Sequence, residues 1–182
     1  MTLTELMDTV PAYARDLKLN FSTLSQQKEL TEQQTWGTIV ASAVASRNAE
    51  LTKAVLAEAP SHLSPQALDA AKAAAAIMGM NNVYYRFQHL TTNENYRTMP
   101  ARLRMNVLRS HGIDQVDFEL WSAAASAIKG CGICVDSHEK VIREKGLNED
   151  AVLAAIRLAS VIHGLATVLD AEKVVVPEAL AV

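Results

Sequence analysis

The chain has few cysteines and no excess of basic residues, and these two shortages exclude several classes of protein. Only 2 cysteines occur among 182 residues, while 49% of the residues are hydrophobic, so we expect a core that needs no disulfide or metal to hold it together. Lysine and arginine number 17 against 20 acidic residues, which gives a formal net charge of −3. Without a basic field, the sequence predicts no nucleic-acid partner and no anionic membrane partner.

Targeting signals and long apolar runs are also missing. Residues 1–5 lack a basic region followed by an apolar stretch, and the most apolar run, 73–80, is too short to cross a bilayer. We therefore expect a cytoplasmic protein without a membrane partner. Because cytosolic thiols are kept reduced, a Cys-x-x-Cys pair in that compartment is more often catalytic or metal-binding than structural.

Strand alternation is nearly absent, and helix signals dominate. The one brief β-like run, 174–176, ends at a proline. Several helix starts are marked by N-cap residues, which are Thr31 (with Gln34 completing a capping box), Ser64, Asp114 and Asn148. The sequence therefore predicts an all-α fold.

Two stretches of the chain resemble each other. A tryptophan within a similar helical pattern recurs 85 residues later, at Trp36 and Trp121. This similarity predicts a single domain, 1–182, built from two similar helical halves, about 30–86 and 115–170, that pack about a pseudo-twofold. Only the C-terminal half carries the cysteines.

Both cysteines lie in segment 130–138, with a histidine four positions after the second. Cys131 follows the helix breaker Gly130, so we place it at a helix N-terminus, where the dipole stabilises a thiolate. The spacing to Cys134 puts both sulfurs on one helix face, close enough to bond, and His138 is spaced to take a proton from Cys134. Glu119 lies on the preceding helix. If the turn at Gly130 folds it back, its carboxylate orients His138 or extends a proton relay.

A metal site is the main alternative for these residues. Cys131, Cys134 and His138 offer three ligands, whereas a structural zinc usually needs four, so we expect no metal. Covalent c-type haem requires a histidine directly after the second cysteine, where this chain has Val135.

The remaining histidines and the large apolar residues carry weaker signals. We interpret His163, on an apolar helix, as an interior histidine near the site. We interpret Trp36, Trp121 and segment 78–80 as contacts in the core or between protomers. No spacing signal marks the other three histidines, His62, His89 and His111.

In these site residues and in several further motifs, the chain resembles the AhpD family of alkyl hydroperoxide reductases, within the wider carboxymuconolactone decarboxylase-like superfamily. The resemblance covers nearly the whole length, through Pro11-Ala12-Tyr13-Ala14, Leu17-Lys18-Leu19-Asn20, Trp36-Gly37-Thr38, Ala76-Ile77-Met78-Gly79-Met80-Asn81-Asn82, Leu103-Arg104-Met105-Asn106 and Phe118-Glu119-Leu120-Trp121. It implies a helical homotrimer that reduces organic hydroperoxides and helps to regenerate an AhpC-type peroxiredoxin. It also implies that no cofactor is bound and that electrons come from a lipoyl group on a dehydrogenase-complex component.

The resemblance also implies a role for each site residue. Cys134 is the peroxidatic thiol that becomes a sulfenic acid, and Cys131 is the resolving thiol and proton donor that forms the redox disulfide with it. His138 and Glu119 form the proton relay. Members of the family often carry histidine just before the second cysteine, where this chain has Ile133, so any proton transfer from that position is absent here.

Two other functions remain open at this point. One is a disulfide-relay adaptor that passes electrons to a peroxiredoxin without significant peroxidase activity of its own. The other is decarboxylase-like lactone chemistry on the same fold, which has no need of a cysteine pair.

Overall fold

The computed structural model describes residues 2–173, and within that range the chain is helical and contains no strand. Two 3₁₀ turns, Ala12–Ala14 and Ala59–Ser61, interrupt the helices. The α-helices of the described range are α1 (Leu3–Asp8), α2 (Arg15–Leu24), α3 (Glu32–Ser46), α4 (Ala49–Glu58), α5 (Pro65–Leu90), α6 (Asn95–Thr98), α7 (Val107–Ser110), α8 (Gln115–Ile128), α9 (Gly132–Glu144) and α10 (Glu149–Glu172). The all-α prediction is confirmed, and the run 174–176 lies outside the described residues.

Four helices begin where the N-cap residues predict. At the start of α3, Thr31 Oγ1 accepts the backbone N–H of Gln34, and the Gln34 side chain accepts the backbone N–H of Thr31, which is a complete capping box. Ser64 caps α5 just before a proline. Asp114 and Asn148 accept backbone N–H groups at the starts of α8 and α10. These starts were predictable because capping is a local interaction.

The centre of the molecule is formed by α3, α8 and α10, with α5 packed along α3 and α8. Trp121, Phe118, Ile39 and Leu158 are among the large side chains that this packing buries completely. Burying a Phe, Leu or Ile side chain contributes about 1.5–3 kcal/mol, so this cluster is a main source of stability. The Trp121 indole also donates a hydrogen bond to the backbone carbonyl of Gln34, at 3.2 Å, which ties α8 to α3.

By length and composition alone, α10 is apolar enough to cross a membrane. This segment is longer than 73–80, which the sequence analysis gives as the most apolar run. Leu158, Ile162 and Leu165 of α10 are completely buried, and α10 packs against α2, α3 and α8. A helix in a protein core passes the same test as a membrane span, so packing accounts for its apolar character.

Two sets of three helices follow the same order along the chain. The lengths are 15, 10 and 26 residues in α3, α4 and α5, and 14, 13 and 24 residues in α8, α9 and α10. The core runs across both sets, because α3 packs on both α8 and α10. The pseudo-twofold and the assignment of 1–182 to one domain stay predictions.

Candidate functional site

The two cysteines form a disulfide at the N-terminal end of α9. Their Cα atoms are 5.3 Å apart, Cys131 is the N-cap residue, and Cys134 lies in the first turn. Gly130 has a φ of 67°, the left-handed conformation that lets the chain turn sharply from α8 into α9. In this position the positive end of the α9 dipole stabilises negative charge on a reduced thiol.

Glu119 and His138 meet because α8 packs along α9. Glu119 Oε2 lies 2.5 Å from His138 Nδ1, and the two side chains are only 11% and 13% exposed. A carboxylate at this distance accepts the Nδ1–H, which fixes the tautomer and leaves Nε2 as the basic nitrogen of a neutral imidazole. The turn at Gly130 therefore places Glu119, His138 and the dithiol in one site.

Met78 of α5 approaches the imidazole from the other side. Its side chain is buried, and its Sδ lies 3.1 Å from His138 Nε2. A thioether has no proton to donate, so Met78 contacts the unprotonated Nε2 without protonating it, and its sulfur can accept a hydrogen bond from Nε2 once the imidazole is protonated. The sequence assigns Met78 only to contacts in the core or between protomers, and its separation of 60 positions from His138 leaves no local signal for this pairing.

A cavity of about 350 Å³ opens beside the disulfide, and Cys134 and His138 both line it. Its walls are largely apolar and include Tyr85, Met105 and Leu108. Cys134 therefore faces a space that accommodates an apolar molecule. Cys131 is not part of this wall and borders a separate shallow depression.

Two further residues set the polarity of the cavity. Asn81 is buried, and its Oδ1 has no hydrogen-bond partner among the described residues. Ile133 also lines the cavity, with 49% of its surface exposed. Position 133 therefore presents an apolar side chain, which can neither donate nor accept a proton.

Gln115, the first residue of α8, holds the second carboxylate oxygen of Glu119. Its Nε2 lies 2.5 Å from Glu119 Oε1, one helical turn away. Gln115 was missed in the sequence, although its spacing of four residues from Glu119 was a signal that could have found it.

The interpretation of His163 as an interior histidine is wrong. His163 is exposed on α10, and its Nδ1 lies 3.2 Å from Ser46 Oγ. Ser160 and Thr167, one turn to either side, are exposed as well, so these residues form the solvent face of the helix. His163 was assigned to the wrong face of an amphipathic helix.

Positive charge gathers at the turn that precedes the dithiol. Arg86 of α5 donates from Nη1 to the backbone carbonyl of Lys129, at 2.5 Å, and so ties that turn to α5. Partial burial of Lys129, followed by the nearby charges of Arg47 and Arg86, lowers the pKa of its ammonium group below the usual range. The turn before Cys131 is therefore both anchored and electropositive.

The donor atoms that a metal site would use are engaged in other contacts. The two sulfurs are bonded to each other, and the His138 nitrogens contact Glu119 and Met78. Among residues 2–173, no group of three or more histidine, cysteine, aspartate or glutamate side chains is arranged to hold a metal ion.

The fold and the site define the class: an all-helical protein whose Cys-x-x-Cys disulfide is backed by an imidazole and a carboxylate. The family model of the Carboxymuconolactone decarboxylase family matches residues 94–176, which contain all of these side chains. The chain is also similar to proteins named alkyl hydroperoxide reductase AhpD. That of Acidobacterium capsulatum is 65% identical over 98% of both chains, that of Solibacter usitatus is 63% identical over 94% of this chain and 97% of the relative, and that of Koribacter versatilis is 61% identical over 95% and 90%. The chain therefore belongs to the AhpD family.

Proposed function

We propose that this protein is an antioxidant alkyl hydroperoxidase that works through the Cys131–Cys134 pair. The observation that carries the proposal is the position of the disulfide, with Cys134 on the wall of an apolar cavity beside the Glu119–His138 pair. Membership of the AhpD family supports a peroxide-related oxidoreductase, because the relatives described above are named alkyl hydroperoxide reductases.

The first half of the reaction takes place at Cys134. In the reduced protein, His138 Nε2 takes the thiol proton of Cys134, and Glu119 stabilises the resulting imidazolium. The thiolate attacks the terminal oxygen of the hydroperoxide, and the O–O bond breaks. The alkoxide takes a proton from the imidazolium and leaves as an alcohol, and Cys134 becomes a sulfenic acid.

The second half forms the disulfide. The sulfur of Cys131 bonds to that of Cys134, and the thiol proton of Cys131 leaves with the sulfenic hydroxyl group as water. One hydroperoxide and two thiols thus give an alcohol, a water molecule and a disulfide. Cys131 is the resolving thiol in this scheme because it lies away from the cavity wall and is only 1% exposed.

The cavity suits an organic hydroperoxide. Its apolar walls would contact the alkyl group of such a molecule. This arrangement would hold the peroxide oxygens near Cys134.

The partners and the setting of the reaction are also proposals, and they rest on the family resemblance. A dihydrolipoyl group on a dehydrogenase-complex component would reduce the disulfide through a mixed disulfide, and no cofactor would be bound. The protein would support regeneration of an AhpC-type peroxiredoxin. We propose that it works in the cytoplasm as a homotrimer.

Peroxide consumption by the pre-reduced protein tests the proposal. The wild type, Cys134→Ser and Cys131→Ser would be supplied with tert-butyl hydroperoxide, dihydrolipoamide and a lipoamide-reducing system. We expect turnover by the wild type alone. Cys131→Ser should consume one equivalent of peroxide and be labelled by a sulfenic-acid reagent at Cys134, whereas Cys134→Ser should consume none.

Other outcomes would contradict the proposal. If the wild type shows no turnover when its thiols are fully reduced, and instead forms a mixed disulfide with a peroxiredoxin, the adaptor function is correct. If both cysteine variants keep an activity on lactone substrates, the decarboxylase-like function is correct.

A further inference from the structure

The Glu119 carboxylate is the end point of a chain of hydrogen bonds that starts outside the cavity. His111, just after α7, has its Nε2 3.0 Å from Gln115 Oε1, and Gln115 Nε2 lies 2.5 Å from Glu119 Oε1. The His111 ring stacks on Phe118, with ring centroids 4.2 Å apart, which holds the imidazole in place. The chain thus joins a partly buried histidine to the carboxylate that contacts His138.

The direction of each hydrogen bond in this chain is fixed by its neighbour. The backbone N–H of Ile113 donates to His111 Nδ1, at 3.3 Å, so a neutral His111 carries its proton on Nε2. That proton is donated to Gln115 Oε1, and the amide N–H of Gln115 must then point to Glu119. Because Glu119 is buried, a carboxylate oxygen without a donor there would be costly, and the Gln115 amide supplies the donor.

We propose that Gln115, with its amide oriented by His111, is a positioning residue for the Glu119–His138 pair. Its hydrogen bond stabilises the ionised carboxylate and fixes the rotation of the carboxyl group, so that Oε2 faces His138 Nδ1. Nε2 of His138 then stays available as the base for Cys134. Gln115 is not needed to begin α8, because Asp114 caps that helix. This inference deepens the proposed function and rests on it.

The proton affinity of the Cys134 thiol reports this positioning directly. In a Cys131→Ser background, Cys134 is the remaining thiol of the chain. The rate of its alkylation by iodoacetamide, measured against pH, gives the midpoint at which the thiolate forms. The measurement needs no peroxide, so it tests the positioning role separately from the peroxidase activity.

The test variant is Gln115→Met, which keeps the length of the side chain and removes the amide. We expect the alkylation midpoint to rise by about one pH unit, which makes alkylation about tenfold slower below the midpoint. The reason is that the Glu119 carboxylate is less stabilised without the amide. It therefore stabilises the His138 imidazolium less, and the imidazolium in turn stabilises the Cys134 thiolate less. His111→Phe keeps the ring stacked on Phe118 and removes the donor to Gln115. It should shift the midpoint in the same direction by a smaller amount.

Gln33→Met is the matched control. Gln33 Nε2 donates to the buried carboxylate of Asp117, also on α8, at 2.7 Å, and Asp117 keeps a second amide donor from Gln34 at 2.8 Å. We expect no shift of the Cys134 midpoint in this variant. Circular dichroism would establish that every variant is folded. On the cavity wall the titratable side chains are Cys134, His138 and Tyr85, and none of the variants changes them.

The outcomes separate the two claims. If folded Gln115→Met and His111→Phe give the same alkylation profile as Gln33→Met and the parent, the positioning role is wrong, whatever the peroxidase assay shows. If their midpoints rise while the wild type fails to consume peroxide, the positioning role holds and the proposed function fails. A rise of the same size in Gln33→Met would also overturn the inference, because it would show a general effect of losing a partly buried amide that donates to a carboxylate of α8.

Discussion

Gly37 is a position in α3 at which the core has no room for a side chain. A Cβ atom there would overlap the Trp121 ring, which is completely buried and held by its hydrogen bond to Gln34. Neither the ring nor the helix can move aside without breaking other core contacts. We expect Gly37→Ala to lower the free energy of unfolding by about 3 kcal/mol, or the melting temperature by about 6–12 °C, in thermal and urea unfolding.

Gly79→Ala is the control for this prediction. Gly79 lies inside α5, and a Cβ there would meet nothing within 4 Å. Alanine has a higher helix propensity than glycine, so this variant should gain about 0.5–1 kcal/mol. Equal effects of the two substitutions would show that the contact with Trp121 is not what excludes a side chain at Gly37.

At the level of single residues, the sequence identified the side chains whose chemistry is unusual and missed those that support them. Two cysteines and a histidine at helical spacing are recognisable in any sequence, whereas Glu119 joins them only on the condition that the turn at Gly130 folds it back, and the resemblance then implies its relay role. Met78 reaches His138 through the packing of α5 on α9, and no local pattern records such a contact. His163 was misplaced because the apolar composition of α10 conceals which face of the helix is exposed.

Among the elements, the turn between α8 and α9 determines whether Glu119 can reach His138. Gly130 has a φ of 67°, and a Cβ there would meet nothing within 4 Å, so the cost of a side chain is purely conformational. We expect Gly130→Ala to lower the free energy of unfolding by about 1–2 kcal/mol. Gly130→Asn should cost less, because asparagine tolerates the left-handed conformation. Urea unfolding of both variants checks the order, and an alanine variant as stable as the asparagine one would contradict it.

Helix boundaries were predictable to the extent that they depend on local interactions. The caps at Thr31, Ser64, Asp114 and Asn148 each involve groups two or three residues apart, so the sequence alone identifies them. The packing of α8 along α9 depends on a turn and on two helix faces together. The approach of Glu119 to the dithiol could therefore be predicted only on the condition that the turn folds it back.

At the scale of the whole molecule, stability and redox chemistry are located in different places. The core is formed by α3, α5, α8 and α10, whereas the disulfide joins two residues of one helical turn at the start of α9. Backbone hydrogen bonds also hold that turn, from Cys131 N–H to Ser126 at 3.1 Å and from Val135 N–H to Cys131 at 3.0 Å. These bonds do not depend on the oxidation state of the sulfurs.

Reduction should therefore leave the fold intact, as the proposed reaction cycle through both oxidation states requires. The bridge closes a loop with a sequence separation of 3, and for so short a loop the entropic stabilisation is on the order of 2 kcal/mol. For a chain of this size, that free energy corresponds to a decrease in melting temperature of about 4–8 °C. Thermal unfolding followed by circular dichroism, with and without reductant, measures the difference.

The double variant Cys131→Ser/Cys134→Ser is the control, since it should melt like the reduced protein and show no response to reductant. Loss of helical signal at about 25 °C on reduction would show instead that the disulfide holds the fold together.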